Sequence, residues 1–207
     1  MATVRPKMDG LKRLEVLRLY CDYVEEHLRN VGKAWVILQE ACVHEKQVWN
    51  DCDFWHTHAL IEQHDLSKMY AGEFVQYAEW FFGPHGKDYD LHDDGGEGET
   101  QHKAAEANFR HAWNHHKMMN PHHWQTWPTA PEKFPGERGC HLMCMVADWM
   151  AMGMKFGDTA EEYYEREKAK INLPEWAVDS LHGIFAALRE ANRDVCGERS
   201  KSVERRG

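Results

Sequence analysis

No apolar run in this chain approaches the roughly 20 residues needed to cross a bilayer. The first residues, MATVRPKMDGLKRL, also lack the apolar centre of a secretory signal. A cytoplasmic protein with no membrane partner is expected. Basic side chains are in the minority, 25 against 34 acidic ones, for a formal charge of -9. A surface of that sign repels a phosphate backbone, so general nucleic-acid binding is disfavoured. One small phosphorylated ligand stays compatible with it, because a lysine or a metal ion can reverse the field inside a pocket. The six cysteines (Cys21, Cys42, Cys52, Cys140, Cys144 and Cys196) include no CxxC pair. That argues against a zinc ribbon or a secreted disulfide framework and leaves them as reduced, packing thiols. Nor does any segment sustain the period-two alternation of a half-buried strand.

What remains is helical pattern. In residues 9 to 41, Leu11, Leu14, Leu17, Cys21, Val24, Leu28, Val31, Trp35 and Leu38 recur every three or four positions, predicting one long helix or two in tandem near Gly32. Further helices are expected up to about His64, from Ala71 to Phe82, and from His102 to Met119. A short one should open at His122 behind an Asn120 cap, and others cover residues 140 to 157 and the stretch after Asp158, which with Glu161 resembles a capping box. The last carries Ile184, Phe185 and Leu188 on its inner face. About six to eight helices make an all-α, single-domain irregular bundle over residues 9–193. A flexible segment 1–8 precedes it and a polar, frayed tail 194–207 closes the chain. Two loops interrupt it, an acidic, glycine-rich one at 84–101 and a proline-rich one at 128–139. The acids of the first match no EF-hand register.

Chemistry concentrates in a few places. In HDLSK, His64 and Asp65 are adjacent at a helix end with Lys68 one turn on, so a bend there offers a cation one neutral nitrogen and one charged oxygen. The stretch RHAWNHHKMMNPHHWQTW holds five histidines. His115 and His122 are seven apart, as are His116 and His123, a spacing that shares a face if the helix runs on, although Pro121 interrupts it. Solvated rings or helix caps explain at least two of the five equally well. Asp148 is a lone charge in the apolar run LMCMVADWMAM, and buried carboxylates are usually paired, metal-bound or at the edge of the apolar face. Trp124, Trp127, Trp149 and Trp176 and the methionines at 143, 145, 150, 152 and 154 read first as packing.

Four blocks, YVEEHLRNVGKAW, HDLSKMYAGEFVQYAEWFFGP, AWNHHKMMNPHHWQTW and MVADWMAMGMKFGDTAEEYY, cover most of the chain in order. Together they resemble the HD-domain superfamily, and within it a family of small HD-like proteins found in bacteria and their phages. The resemblance implies a ligand quartet of His27, His64, Asp65 and Asp148, with His44 as an alternative first histidine. It further implies His116 and His123, or His122 in place of His123, as ligands of a second ion that Asp65 would bridge, with His115 nearby and Glu73 holding a ligand histidine.

The activity implied is that of a metal-dependent phosphohydrolase. One or two divalent ions (Zn, Mn, Fe, Co or Mg) would activate a water against a small phosphorylated substrate, a nucleotide or phosphomonoester. Asp65 would be central to the chemistry and Lys68 would steady the phosphoryl oxygens, unless it is a solvated turn lysine. Two other readings use the same residues: a di-iron oxygenase, and a non-catalytic binding protein whose metal only holds its helices.

Overall fold

The structure is a computed structural model and describes residues 10–43, 52–90, 98–127 and 137–204. The segment 1–8, His44, positions 91–97 of the acidic loop and positions 128–136 of the proline-rich loop lie outside them. Among the described residues are seven α-helices, two short 3-10 helices and no strand. The chain is all-α, as the missing alternation predicts. None of these helices is long and apolar enough to cross a membrane.

Helix α1 (Gly10–Cys42) runs unbroken through Gly32. Its buried line is Val16, Tyr20, Val24, His27, Val31, Ala34, Trp35, Leu38 and Cys42, whereas Leu14 and Leu28 are exposed. The expected stripe is therefore rotated in the first half of the helix. Two apolar series with helical spacing overlap there, and the inward one is carried by the large ring of Tyr20, which the aliphatic pattern passes over. Two polar residues of the helix are buried as well, His27, three positions after Val24, and Asn30.

The chain divides into two compact units, each made of two stretches. The first comprises residues 1–26 and 65–120. It contains the start of α1, a 3-10 turn at Leu66–Met69, α3 (Phe74–Phe82) and α4 (Glu99–Met119). Its core is aromatic: Tyr20 meets Phe74 edge-on at 5.2 Å, Tyr77 meets Phe109 edge-on at 5.3 Å, and Trp80 stacks on Phe109 at 5.2 Å. Such pairs add directional preference to the area they bury. Gly83 ends α3, and a Cβ there would lie 2.4 Å from the Glu79 carbonyl oxygen. The following turn is tied down by His102, whose Nδ1 is 3.1 Å from the carbonyl oxygens of both His85 and Gly86.

The second unit comprises residues 27–64 and 121–207. It contains the rest of α1, α2 (Phe54–Glu62), a 3-10 turn at Trp124–Thr126, α5 (Arg138–Phe156), α6 (Ala160–Glu167) and α7 (Glu175–Glu204). In α5 every residue from Gly139 to Ala147 is buried. A helix apolar on all sides belongs in a core rather than at a surface. Leu181, Ile184 and Phe185 of α7 are buried in the same cluster, and Trp127 stacks on Trp176 at 5.6 Å. The helix ends have sequence causes. The Asp53 side chain accepts from the His56 amide at the start of α2, and Gly157 closes α5 in the left-handed conformation (φ 91°).

Four local expectations are corrected. The capping box of α6 is Thr159 with Glu162, one position later than Asp158 with Glu161, because the Thr159 hydroxyl accepts the Glu162 amide. No helix starts at His122. Asn120 instead closes α4, its side-chain amide donating to the His116 carbonyl at 2.7 Å and to Ser67 Oγ at 2.8 Å. Helix α5 begins at Arg138, inside the expected loop 128–139. The tail is helical to Glu204, since α7 meets neither a proline nor a capping glycine that would end it at residue 193.

Candidate metal centre

Four polar side chains converge inside the apolar second unit. His27 comes from the buried line of α1, and His64 sits in the turn after α2, where its backbone N–H donates to the Ile61 carbonyl at 3.1 Å. His122 follows Pro121 in a turn clamped by the Trp127 indole N–H, which donates to the Pro121 carbonyl at 3.0 Å. Asp148 projects from α5 where its all-round burial ends. His27 Nε2 lies 3.3 Å and His64 Nε2 3.7 Å from Asp148 Oδ1. The His64 and His122 rings stack at 4.2 Å, and donor atoms of His64, His122 and Asp148 all lie within 4.8 Å of one another. A tetrahedral ion with bonds of about 2.1 Å separates its donors by about 3.4 Å. The nitrogen-to-carboxylate spacings bracket that edge. The residues present therefore fit a divalent cation, and three imidazoles with one carboxylate suit zinc, iron, manganese or cobalt better than magnesium, which prefers oxygen.

Of the expected ligands, His27, His64 and Asp148 are brought together here. His122, offered as the alternative to His123, joins them, and His123 packs beside it with rings 4.3 Å apart.

A second network occupies the first unit. The chain passes into that unit at Asp65, which has φ 56°. This left-handed backbone is costly for most side chains, least so for Asp and Asn, and often marks functional turns. Asp65 is buried and takes Lys68 Nζ at 2.6 Å on Oδ2 and His116 Nε2 at 3.2 Å on Oδ1. Lys68 is itself buried, so the solvated turn lysine is overturned. His116 Nδ1 meets Glu73 Oε2 at 2.9 Å, and the other Glu73 oxygen meets His115 Nδ1 at 2.6 Å. Ser67 donates to Glu73 at 3.0 Å.

Burial acts against charge on both partners of the inner pair, but the hydrogen bonds prevail. Those from His116 and His115 hold Glu73 below the ordinary carboxylate value, and those to Asp65 and Glu73 hold His116 above the ordinary imidazole value. Burial first, then the nearby carboxylates of Asp65 and Glu73, pushes the Tyr20 and Tyr77 phenols up. The two carboxylates favour the imidazolium of His116, with the Nδ1 proton facing Glu73 and the Nε2 proton facing Asp65.

Sequence reasoning missed Ser67 and Asn120, short polar residues that carry no pattern, and His141, buried on α5 and pushed down to about 4 by that burial. Glu73, expected to hold a ligand histidine, is fully enclosed and meets His116 at 2.9 Å.

These observations define a class: an all-α protein that carries a buried His₃Asp cluster in one unit and a charged His–Glu–Asp–Lys network in the other. Residues 18–190 match the model of a family of unknown function, DUF5662, and the chain belongs to that family. No curated protein and no solved structure matches it.

Proposed function

We propose that this protein is a metal-dependent phosphohydrolase acting on a small phosphorylated substrate, a nucleotide or phosphomonoester. The observation that carries the reading is the convergence of His27, His64, His122 and Asp148 at spacings that suit one divalent ion. The resemblance to HD proteins adds Asp65, the residue after His64, together with His116 and His123. A bound divalent ion would supply a water acidified toward neutrality and a counter-charge for the phosphoryl oxygens.

The chain's own residues would do the rest. Lys68 carries a buried positive charge in a protein of formal charge -9, so it is the side chain suited to meet a phosphoryl oxygen, and Asp65 holds it in place. Glu73 fixes the ring of His116, and Ser67 and Asn120 brace that arrangement.

The test is phosphate release from p-nitrophenyl phosphate and a nucleotide panel, with zinc, manganese, cobalt, iron or magnesium added. Wild type is expected to turn over at least one substrate, with Asp65→Ala slower by roughly 100-fold or more and Lys68→Met also impaired. No release from any metal-loaded sample would overturn the reading. The nitrogen-rich donor set favours iron as much as zinc, so an oxygenase is the second reading. Oxygen consumption by the iron-loaded protein, without phosphate release, would select it.

A further inference from the structure

A different group of reactive side chains lies in the second unit. Cys52 stands just before α2, and Cys140 is the third residue of α5. Cys140 is fully buried and Cys52 only slightly exposed, and their thiols hydrogen-bond to each other. Three further contacts hold the pair. Cys52 Sγ is 3.0 Å from Thr57 Oγ1, the Thr57 hydroxyl donates to the Asp53 carbonyl at 2.7 Å, and Cys140 Sγ reaches that same carbonyl at 3.7 Å. Cys52 also lines a surface cavity of about 710 Å³ together with Gln39, Glu40, Val43 and Phe54. One sulfur of a touching pair thus faces a space that admits a molecule far larger than water.

We propose that Cys52 and Cys140 form a peroxide-sensitive dithiol that closes reversibly to a disulfide, with the cavity at Cys52 as the entry for a hydroperoxide. One sulfur of the pair, as thiolate, attacks a peroxide oxygen. An S–O bond forms, the O–O bond breaks, and the departing hydroxide takes up a proton to become water. The second sulfur then displaces the hydroxyl of the sulfenic acid. The S–S bond forms and a second water leaves with the proton of that thiol. Two thiols and one hydrogen peroxide thereby give one disulfide and two waters.

The surroundings favour the first step. The contact with Cys52 is the largest influence lowering Cys140, and the same contact is the largest influence raising Cys52. The amino-terminal turn of α5 also favours a thiolate at Cys140. Cys144, one turn further along α5, is an internal control. It too is buried, and burial pushes its thiol up, which keeps it protonated and inert.

The experiment treats tag-free, reduced full-length protein with graded hydrogen peroxide, blocks remaining thiols with iodoacetamide, and reads intact mass and peptide maps. The expected result is loss of two alkylatable thiols, a mass lower by about 2 Da before alkylation, and a linked Cys52–Cys140 peptide, all reversed by dithiothreitol. Cys144→Ser should behave as wild type. In Cys52→Ser the link should vanish and Cys140 should be trapped by dimedone as a sulfenic acid. Oxidation that is absent at these residues, or that proceeds at Cys144 as fast as at Cys140, would overturn the proposal. The wild-type map alone decides, whether or not a variant folds.

Discussion

Replacing Glu73 with glutamine removes one charge from the centre of the first unit while keeping the side-chain shape. The wild-type carboxylate is fully enclosed and accepts from His115 at 2.6 Å, His116 at 2.9 Å and Ser67 at 3.0 Å. Removing one partner of a buried ion pair costs about 3 to 5 kcal/mol. Glutamine keeps one acceptor oxygen but turns a donor toward the other site, so Glu73→Gln should cost about 3 kcal/mol at the low end of that range. With a urea slope of about 2 kcal/mol/M, the unfolding midpoint should fall by about 1.5 M.

The loss should depend on pH in a defined way. Glu73 is depressed in the folded state, so its contribution is present above the ordinary carboxylate value of 4.5 and fades as pH falls through its folded value. His116 is raised, so its contribution is full below the ordinary value of 6.5 and fades as pH rises through its folded value. The difference between wild type and variant should therefore peak between 4.5 and 6.5 and shrink on both sides. Urea titrations at constant ionic strength, in steps from about pH 3 to about pH 9, measure it. A difference below about 0.5 kcal/mol, or one that stays flat across that range, would refute the buried ion pair.

Other perturbations test other parts of the account. Alanine normally stabilises a helix by about 1 kcal/mol relative to glycine. Gly153→Ala should instead destabilise by about 2 kcal/mol, because its Cβ would sit 2.1 Å from the Asp158 carbonyl oxygen; a raised Tm would contradict this. Thr159→Ala removes half of the capping box of α6 and should lower stability by about 1 kcal/mol in chemical denaturation, without altering metal content. Phe185→Ala, in the fully buried cluster of the second unit, should cost about 3 to 5 kcal/mol by the same method. Asp65→Ala removes the partner of both Lys68 and His116 and should cost about 3 to 5 kcal/mol in urea titration with or without added metal; an unchanged midpoint would contradict these buried pairs.

The all-α class was legible because the chain lacks strand alternation and carries repeated three-and-four spacing throughout. His27 stood out less than it could have. Once Tyr20 is counted as the inward residue of α1, His27 falls in line between Val24 and Val31, and a histidine on a buried face calls for a partner. Asp148 was legible for the same reason, as one acid in an apolar helix. Other features were hidden because they depend on which distant segments meet. Ser67 and Asn120 are ordinary turn and helix-end residues until α4 brings His116 to them. Cys52 and Cys140 share no motif, and only the packing of α2 against α5 brings their sulfurs together. That His122 lies with His64 and Asp148 depends on the path after Pro121, which heptad spacing cannot supply once a proline interrupts the helix.

The claim that the His27–His64–His122–Asp148 cluster holds a metal is tested most directly by elemental analysis of tag-free protein, wild type beside His122→Ala. Wild type should hold about one zinc, manganese, iron or cobalt ion per chain, and the variant should lose it while keeping the wild-type helical spectrum. A wild-type protein that contains no such ion and takes none up when zinc, manganese or iron is added would contradict it.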